Sequence, residues 1–427
     1  MWEDYEKRNR TVKIILAIIA VILAAALIFA IKIVSEDASA QEAELQTAST
    51  VNQEAQAAAK AETLERINAD YQQDMDVVAQ YIPGVVCWGD KITAGSAGGV
   101  SYPKVLEDLI KENICDLYDF RSTLDYTDNV SRVTWADYRV EIPVVNLGTG
   151  EETSTTILGR NGAVPYVVTQ DLTIPAGTEP VEVKFSSANG RTVEPLTESD
   201  GGVNPVTIAG VTGTLSLDEN SYRSNSLKYY FTRLEPGTEI TVAAGTEIIT
   251  AASEKYRDYI AIVFIGNYGE YSNVDDLVSQ QRAIIDHQLN TDRYLVIGTY
   301  NVEGYWDGGY TEIFEQYEAA MMKAFGEHFV NIRKYLVSDG MEDAELKATD
   351  TDTYELKNGR IPDSLRSSSG SLELSATAYK LVGQVIYDKM DQLGYFDEVV
   401  EELGIDTVRE EIRLGLRDEN GVTITNS

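Results

Sequence analysis

The sequence predicts an α/β fold: a doubly wound, three-layer α/β/α sheet interrupted by an inserted all-β domain and preceded by one transmembrane helix and a helical stalk. Three observations carry this expectation. The apolar runs around Val85-Val86-Cys87-Trp88 and along Tyr259-Ile-Ala-Ile-Val-Phe-Ile-Gly266 have the texture of parallel strands covered on both faces. Helical segments alternate with such runs, which is the doubly wound rhythm. Between about Ala163 and Ser253 the rhythm gives way to short alternating strands separated by Gly, Pro, Asn and Asp.

The 427 residues allow two or three domains and a sizeable core. Residues 14–31, IILAIIAVILAAALIFAI, carry no charge. As a helix they reach about 27 Å, close to the hydrocarbon thickness of a bilayer, and with their flank they define a transmembrane segment over 14–34. Lys7, Arg8, Arg10 and Lys13 lie before it and only Lys32 follows closely. The positive-inside rule therefore predicts a cytoplasmic tail at 1–13 and an extracellular body. Ala38-Ser39-Ala40 offers the cleavage site of a signal peptide as the alternative, but the apolar run is longer than a usual signal core. Residues 35–80, rich in Ala, Gln and Glu, read as a helical stalk that Pro83 ends. Its partial heptad pattern leaves self-association through the stalk open beside a lone helix packed on its own domain.

A net charge of -34, from 69 acidic and 35 basic residues, argues against nucleic acid as a partner. Cys87 and Cys115 are the only cysteines, which excludes a disulfide framework or a four-cysteine metal site. No cofactor and no metal are called for.

The body opens at residue 81. Val85–Trp88 forms the first strand and Gly89-Asp90-Lys91 breaks it; Gly95, Gly98 and Gly99 keep the chain irregular until Ser101 caps a helix with Pro103 in its first turn. That turn lies at the carboxyl end of a parallel strand, where open α/β sheets bind ligands. A second strand is expected over Val140–Asn146, followed by the β insertion at 163–253, a small sandwich or barrel. The α/β body, whose first part is 81–162, resumes over 254–395. It holds strands at Tyr259–Gly266, Arg293–Gly298 and Phe329–Arg333 and helices at Val274–Leu289 and Thr311–Phe325. An acidic C-terminal tail, 396–427, contains one further helix near 397–412.

Gly89-Asp90-Lys91-Ile92-Thr93-Ala94-Gly95 resembles the first block of the SGNH or GDSL hydrolase family, Gly-Asp-Ser-(Leu/Ile)-Thr-x-Gly, with lysine in place of the nucleophilic serine. Asn146, Gly148, Glu151 and Thr153 resemble its second block, with Glu151 where a glycine donates to the oxyanion. In the third block, Gly-x-Asn, the asparagine position falls on Tyr268, and Asn267 sits one residue early. In the last block, Asp-x-x-His, Gly370 and Glu373 stand for the acid and the base. The resemblance covers most of residues 81–395 and implies a flavodoxin-like SGNH-hydrolase sheet. It also implies that no catalytic residue is intact, and that Asp90, Lys91, Asn146, Glu151, Tyr268 and Glu373 line a vacated cleft. In that fold the serine turn meets the histidine loop, so Lys91 and Glu373 are expected to pair.

A rescue by histidine, hydroxyl or thiol finds no support, because His287 and His328 fall at the wrong end of the sheet and Ser96, Thr93 and Cys87 read as loop or core groups, while a lysine base or a Lys–Glu acid/base pair stays open beside a structural ion pair filling the vacated pocket. The leading expectation is a membrane-anchored extracellular pseudoenzyme that binds a glycan, a wall component or a protein. An esterase, deacetylase or acyltransferase acting on surface carbohydrate, or a structural surface subunit, are the alternatives.

Overall fold

The computed structural model describes residues 2–417 apart from 97, 119–137, 151, 198–200, 219–220, 222–226 and 302–309. The described chain divides into two units, the N-terminal helix as far as Gln72 and the remainder from Gln73 onward. That helix runs from Trp2 to Tyr81 and stops two residues before Pro83. It holds one stretch long and apolar enough to cross a membrane, none of it buried.

In the second unit five parallel strands form the sheet. In chain order they are Val85–Gly89, Val144–Gly148, Ile260–Phe264, Tyr294–Ile297 and Phe329–Val330. They lie side by side in the order second, first, third, fourth, fifth. The first and third strands pair directly, Val85 with Ile260 through Gly89 with Phe264, and every residue of both is buried. Alternation along the strands then divides the core. Val85, Cys87, Ile262 and Phe264 join one apolar cluster with Leu106, Tyr379 and Val382; Val86, Trp88, Ala261 and Val263 join another with Ile157, Leu277 and Met321. Helices Tyr102–Ile110 and Ala376–Gln392 thus cover one face, and Ser154–Asn161, Val274–His287 and Tyr310–Phe325 the other. Ser101, Asn273 and Ser375 cap three of these helices by accepting backbone N–H bonds.

Three expected elements differ. The second strand starts at Val144 instead of Val140, because Pro143 has no N–H to give; its carbonyl still accepts from Val85 N. Val140 and Ile142 are buried in the core without belonging to the sheet. The last strand is only Phe329–Val330, since Asn331 caps a helix that begins at Ile332. The helix expected near 397–412 is two, Asp397–Glu402 and Ile405–Arg413, separated at Gly404, whose φ of 67° ends the first. Val399, Val400 and Ile405 are buried in the main cluster, so this segment packs as part of the body.

The insertion between the second and third strands holds short strands from Tyr166 to Ile249 among its described residues, and the helix Ala251–Lys255 begins inside its expected end at 253. Seven of its strands make one antiparallel sheet, and Leu172–Ile174 pairs with Ile240–Val242 as a separate ribbon. The two outer strands of the seven are Val181–Val183 and Phe185–Ser187, separated by Lys184 alone. One short segment therefore supplies both edges, the sheet is nearly closed, and no long edge is left to aggregate. Its apolar cluster, which includes Tyr166, Ile208, Leu215 and Phe231, is separate from the two that sandwich the parallel sheet.

Candidate functional site

The strand order reverses direction between the first and third strands, and the crevice outside their carboxyl ends is where ligands bind in such sheets. Asp90 emerges there from the first strand. Its Oδ1 accepts from Ile92 N at 2.9 Å and caps a single helical turn, Lys91–Ala94, between the strand and the irregular glycine-rich stretch. The turn lies very close to the sheet. A Cβ on Gly148 would stand 2.0 Å from Ala94 N, and one on Gly89 would stand 2.0 Å from Thr93 Oγ1, so both positions require glycine. Asn146 braces the approach: its Oδ1 accepts from Gly148 N at 2.9 Å and its Nδ2 reaches Ala94 O and Ser101 Oγ, each at 3.4 Å.

Held on this turn, Lys91 Nζ meets Glu373 Oε1 at 2.7 Å, the pairing expected from the sequence. The side chains are 36% and 23% exposed, so solvent reaches the pair. Glu373 belongs to a serine-rich loop closed by a bridge between Arg366 and Leu374, by Ser367 N donating to Glu373 O at 2.9 Å, and by Tyr300 Oη donating to Leu372 O at 2.7 Å. Gly370 lies at its exposed tip with a φ of 73°; its N–H donates to Asp363 Oδ1 and it offers no group to the pair.

Beneath the pair Asp90 is fully buried. Burial pushes its carboxyl up to about 7, against the lowering effect of the Ile92 N–H and of the Asn267 amide. Asn267 is buried too, its Oδ1 held by Thr299 Oγ1 at 2.9 Å and Tyr300 N at 3.1 Å. This leaves its Nδ2 turned toward Asp90, yet neither Nδ2 nor Asp90 Oδ2 completes a good hydrogen bond. Asn267 is therefore committed to the interior and is no donor to a cleft. Tyr102, Tyr300 and Tyr379 surround the carboxyl, and burial together with its charge holds their phenols above the ordinary range. Tyr268 is half-buried against the same cluster.

Around the rim the loops bind one another. Ser154 N donates to Gly269 O at 3.3 Å, Ser154 Oγ donates to the same carbonyl at 2.9 Å, and Thr153 Oγ1 donates to Glu270 Oε2 at 2.9 Å. Glu151 lies outside the described residues. Its neighbour Glu152 is buried and paired with the wholly buried Arg160, Oε2 to Nε at 2.9 Å. Arg160 also donates to Gly201 O at 2.7 Å and Gly89 O at 3.3 Å, and its guanidinium lies 5.6 Å from the Trp88 ring centre. The insertion is thereby fixed to the residue preceding Asp90. Arg191, from the insertion as well, reaches Glu270 O at 2.8 Å and Asp276 Oδ2 at 2.7 Å.

The arrangement supplies no activated nucleophile among the described residues. Thr93 Oγ1 is bonded to Tyr102 Oη at 3.2 Å, Ser101 Oγ serves as a cap, and burial keeps the Cys87 thiol protonated. Both histidines sit elsewhere: His287 Nε2 contacts Ser253 O at 3.1 Å, and His328 Nδ1 contacts Tyr395 Oη at 2.8 Å. No cluster of three or more His, Cys, Asp or Glu able to hold a metal occurs among the described residues. The sequence reading missed Arg160, although it is the one charge in the otherwise hydroxyl-rich and apolar run Thr153–Asn161, and it missed the tyrosines, which come from three distant segments. Comparison with protein-family models, curated proteins and solved structures finds no match to this chain.

Proposed function

We propose that this chain is a membrane-anchored protein with an extracellular body, and that its α/β unit is an SGNH-hydrolase-like domain without hydrolytic chemistry that binds a surface glycan, a wall component or a protein. The observation that carries the reading is the Lys91–Glu373 pair at 2.7 Å. The two residues stand where the resemblance places nucleophile and base. An ion pair there ties the two loops together and leaves neither a hydroxyl to attack nor an imidazole to accept its proton.

The test combines ester substrates with a serine-directed covalent probe on the full chain in detergent. Neither turnover nor labelling is expected, and Lys91→Ser alone remains inactive because base and oxyanion donors are still missing. A labelled serine in the wild-type chain overturns the proposal in favour of an esterase or acyltransferase.

A further inference from the structure

We infer that the insertion positions one wall of the crevice through a single residue, Arg191, whose guanidinium holds Glu270 in a left-handed backbone conformation and thereby fixes the loop that carries Tyr268. This deepens the reading above and rests on it, since it names the part of the chain that sets the shape of the proposed binding cleft.

The loop leaves the third strand after Phe264 and ends at Asn273, which caps the next helix. It turns on two successive left-handed residues, Gly269 with a φ of 78° and Glu270 with a φ of 64°. Glycine adopts that conformation freely, whereas the Cβ of a glutamate crowds the backbone there. Contacts from three other elements hold Glu270 in it. Its carbonyl oxygen accepts from Arg191 Nη1 at 2.8 Å, Gln280 Nε2 at 3.1 Å, Thr155 Oγ1 at 3.2 Å and Ser154 Oγ at 3.3 Å. A carbonyl has two lone pairs, so the two nearest donors carry most of the interaction, and of these only the guanidinium is charged.

Arg191 is itself set in place. Ser187 N donates to Arg191 O at 2.9 Å and Arg191 N donates to Asn189 Oδ1 at 3.1 Å, a tight turn that follows the strand Phe185–Ser187. Its Nη2 bonds Asp276 Oδ2 at 2.7 Å, and the same oxygen accepts from Ser272 N at 2.7 Å. One guanidinium therefore ties the loop at Glu270 directly and at Ser272 through Asp276. The loops leaving the second and third strands lie on either side of the first strand, and they join where Ser154 N meets Gly269 O and Thr153 Oγ1 meets Glu270 Oε2. A return of Glu270 to the ordinary right-handed region would swing its carbonyl away from all four donors together. Arg191 belongs to the insertion, so an element outside the parallel sheet decides whether this wall stands.

The experiment is hydrogen exchange by mass spectrometry on the full chain in detergent, read at the amides of Ser154, Gly269 and Ser272. Arg191→Met is expected to lower their protection about tenfold or more, the worth of one hydrogen bond from a charged donor, while amides of the strands Ile260–Phe264 and Val211–Leu217 keep theirs. Adding Glu270→Gly to Arg191→Met should restore protection about two- to fivefold, because the left-handed bend no longer has to be held against a Cβ. Adding Glu270→Ala removes the same carboxylate, keeps the Cβ and should restore nothing. The same order, glycine above alanine, is expected with Arg191 in place, which keeps the test available if Arg191→Met does not fold. Unchanged protection in Arg191→Met, a loss spread equally over the insertion and the sheet, or equal effects of glycine and alanine at 270 overturns the inference. These readouts need neither ligand nor substrate, so a hydrolytic activity found in the ester assay would remove the proposed function without touching this result.

Discussion

Replacing Arg160 by methionine tests the most deeply buried ion pair among the described residues. The guanidinium is 0% and the Glu152 carboxylate 1% exposed, and their contact is 2.9 Å. Removing the cation leaves a buried carboxylate with Leu196 N, at 3.2 Å, as its remaining hydrogen-bond donor. Breaking such a pair costs about 3–5 kcal/mol, because the surviving charge is desolvated and unpaired. Arg160→Met with Glu152→Gln removes that charge and keeps an oxygen for Leu196 N. The remaining cost is then the loss of the Arg160 bonds to Gly201 O and Gly89 O, the latter still accepting from Thr149 N at 3.3 Å, about 1–3 kcal/mol in all. The double variant is therefore expected to be more stable than the single one, by about 1–3 kcal/mol. Urea unfolding of the full chain in detergent measures both, with tryptophan emission reporting locally because Trp88 lies against Arg160. A single variant that loses less than about 1 kcal/mol, or a double variant less stable than the single, would refute this account of the link.

Further outcomes follow from the same geometry. Gly148→Ala places a methyl 2.0 Å from Ala94 N with backbone on both sides, so it should lower stability by about 1–3 kcal/mol in thermal melts, whereas an unchanged melt would mean the turn can retreat. For Asp352, burial raises the carboxyl but hydrogen bonds from Ser364 and Thr349 outweigh it and bring it down to about 2. Its stabilisation, about 2 kcal/mol, is present above pH 4 and lost as pH falls from about 4 to 2. Asp352→Asn should flatten that acid limb, and an identical limb in the variant would assign it to other groups. Protease added to intact cells is expected to remove the body and leave the N-terminal helix in the membrane; protection of the whole chain would reverse the proposed topology.

Much of this architecture was legible in the sequence because its signals are local. An uncharged run of 18 residues is apolar wherever it sits, and the helix Trp2–Tyr81 contains it without interruption. Strands covered on both faces need continuous apolar runs, so Val85–Gly89 and Ile260–Phe264 were recognisable by composition. The insertion announced itself by the change from a helical to a two-residue period. The Lys91–Glu373 contact was anticipated only through the family resemblance, which implies that the two loops meet; the 366–375 loop follows no strand of the sheet, so no local pattern placed it there. The tertiary structure decided what depends on burial and direction. Asp90 reads in sequence as a loop acid, and only its complete burial in the folded body pushes its carboxyl up to about 7. Asn267 looks like a misplaced cleft donor until Thr299 and Tyr300 turn its amide inward. Arg160 looks like a helix-surface charge until Glu152, Gly201 and Gly89 enclose it. Desolvation and partner geometry arise from contacts distant in sequence, so no local pattern of residues can encode them.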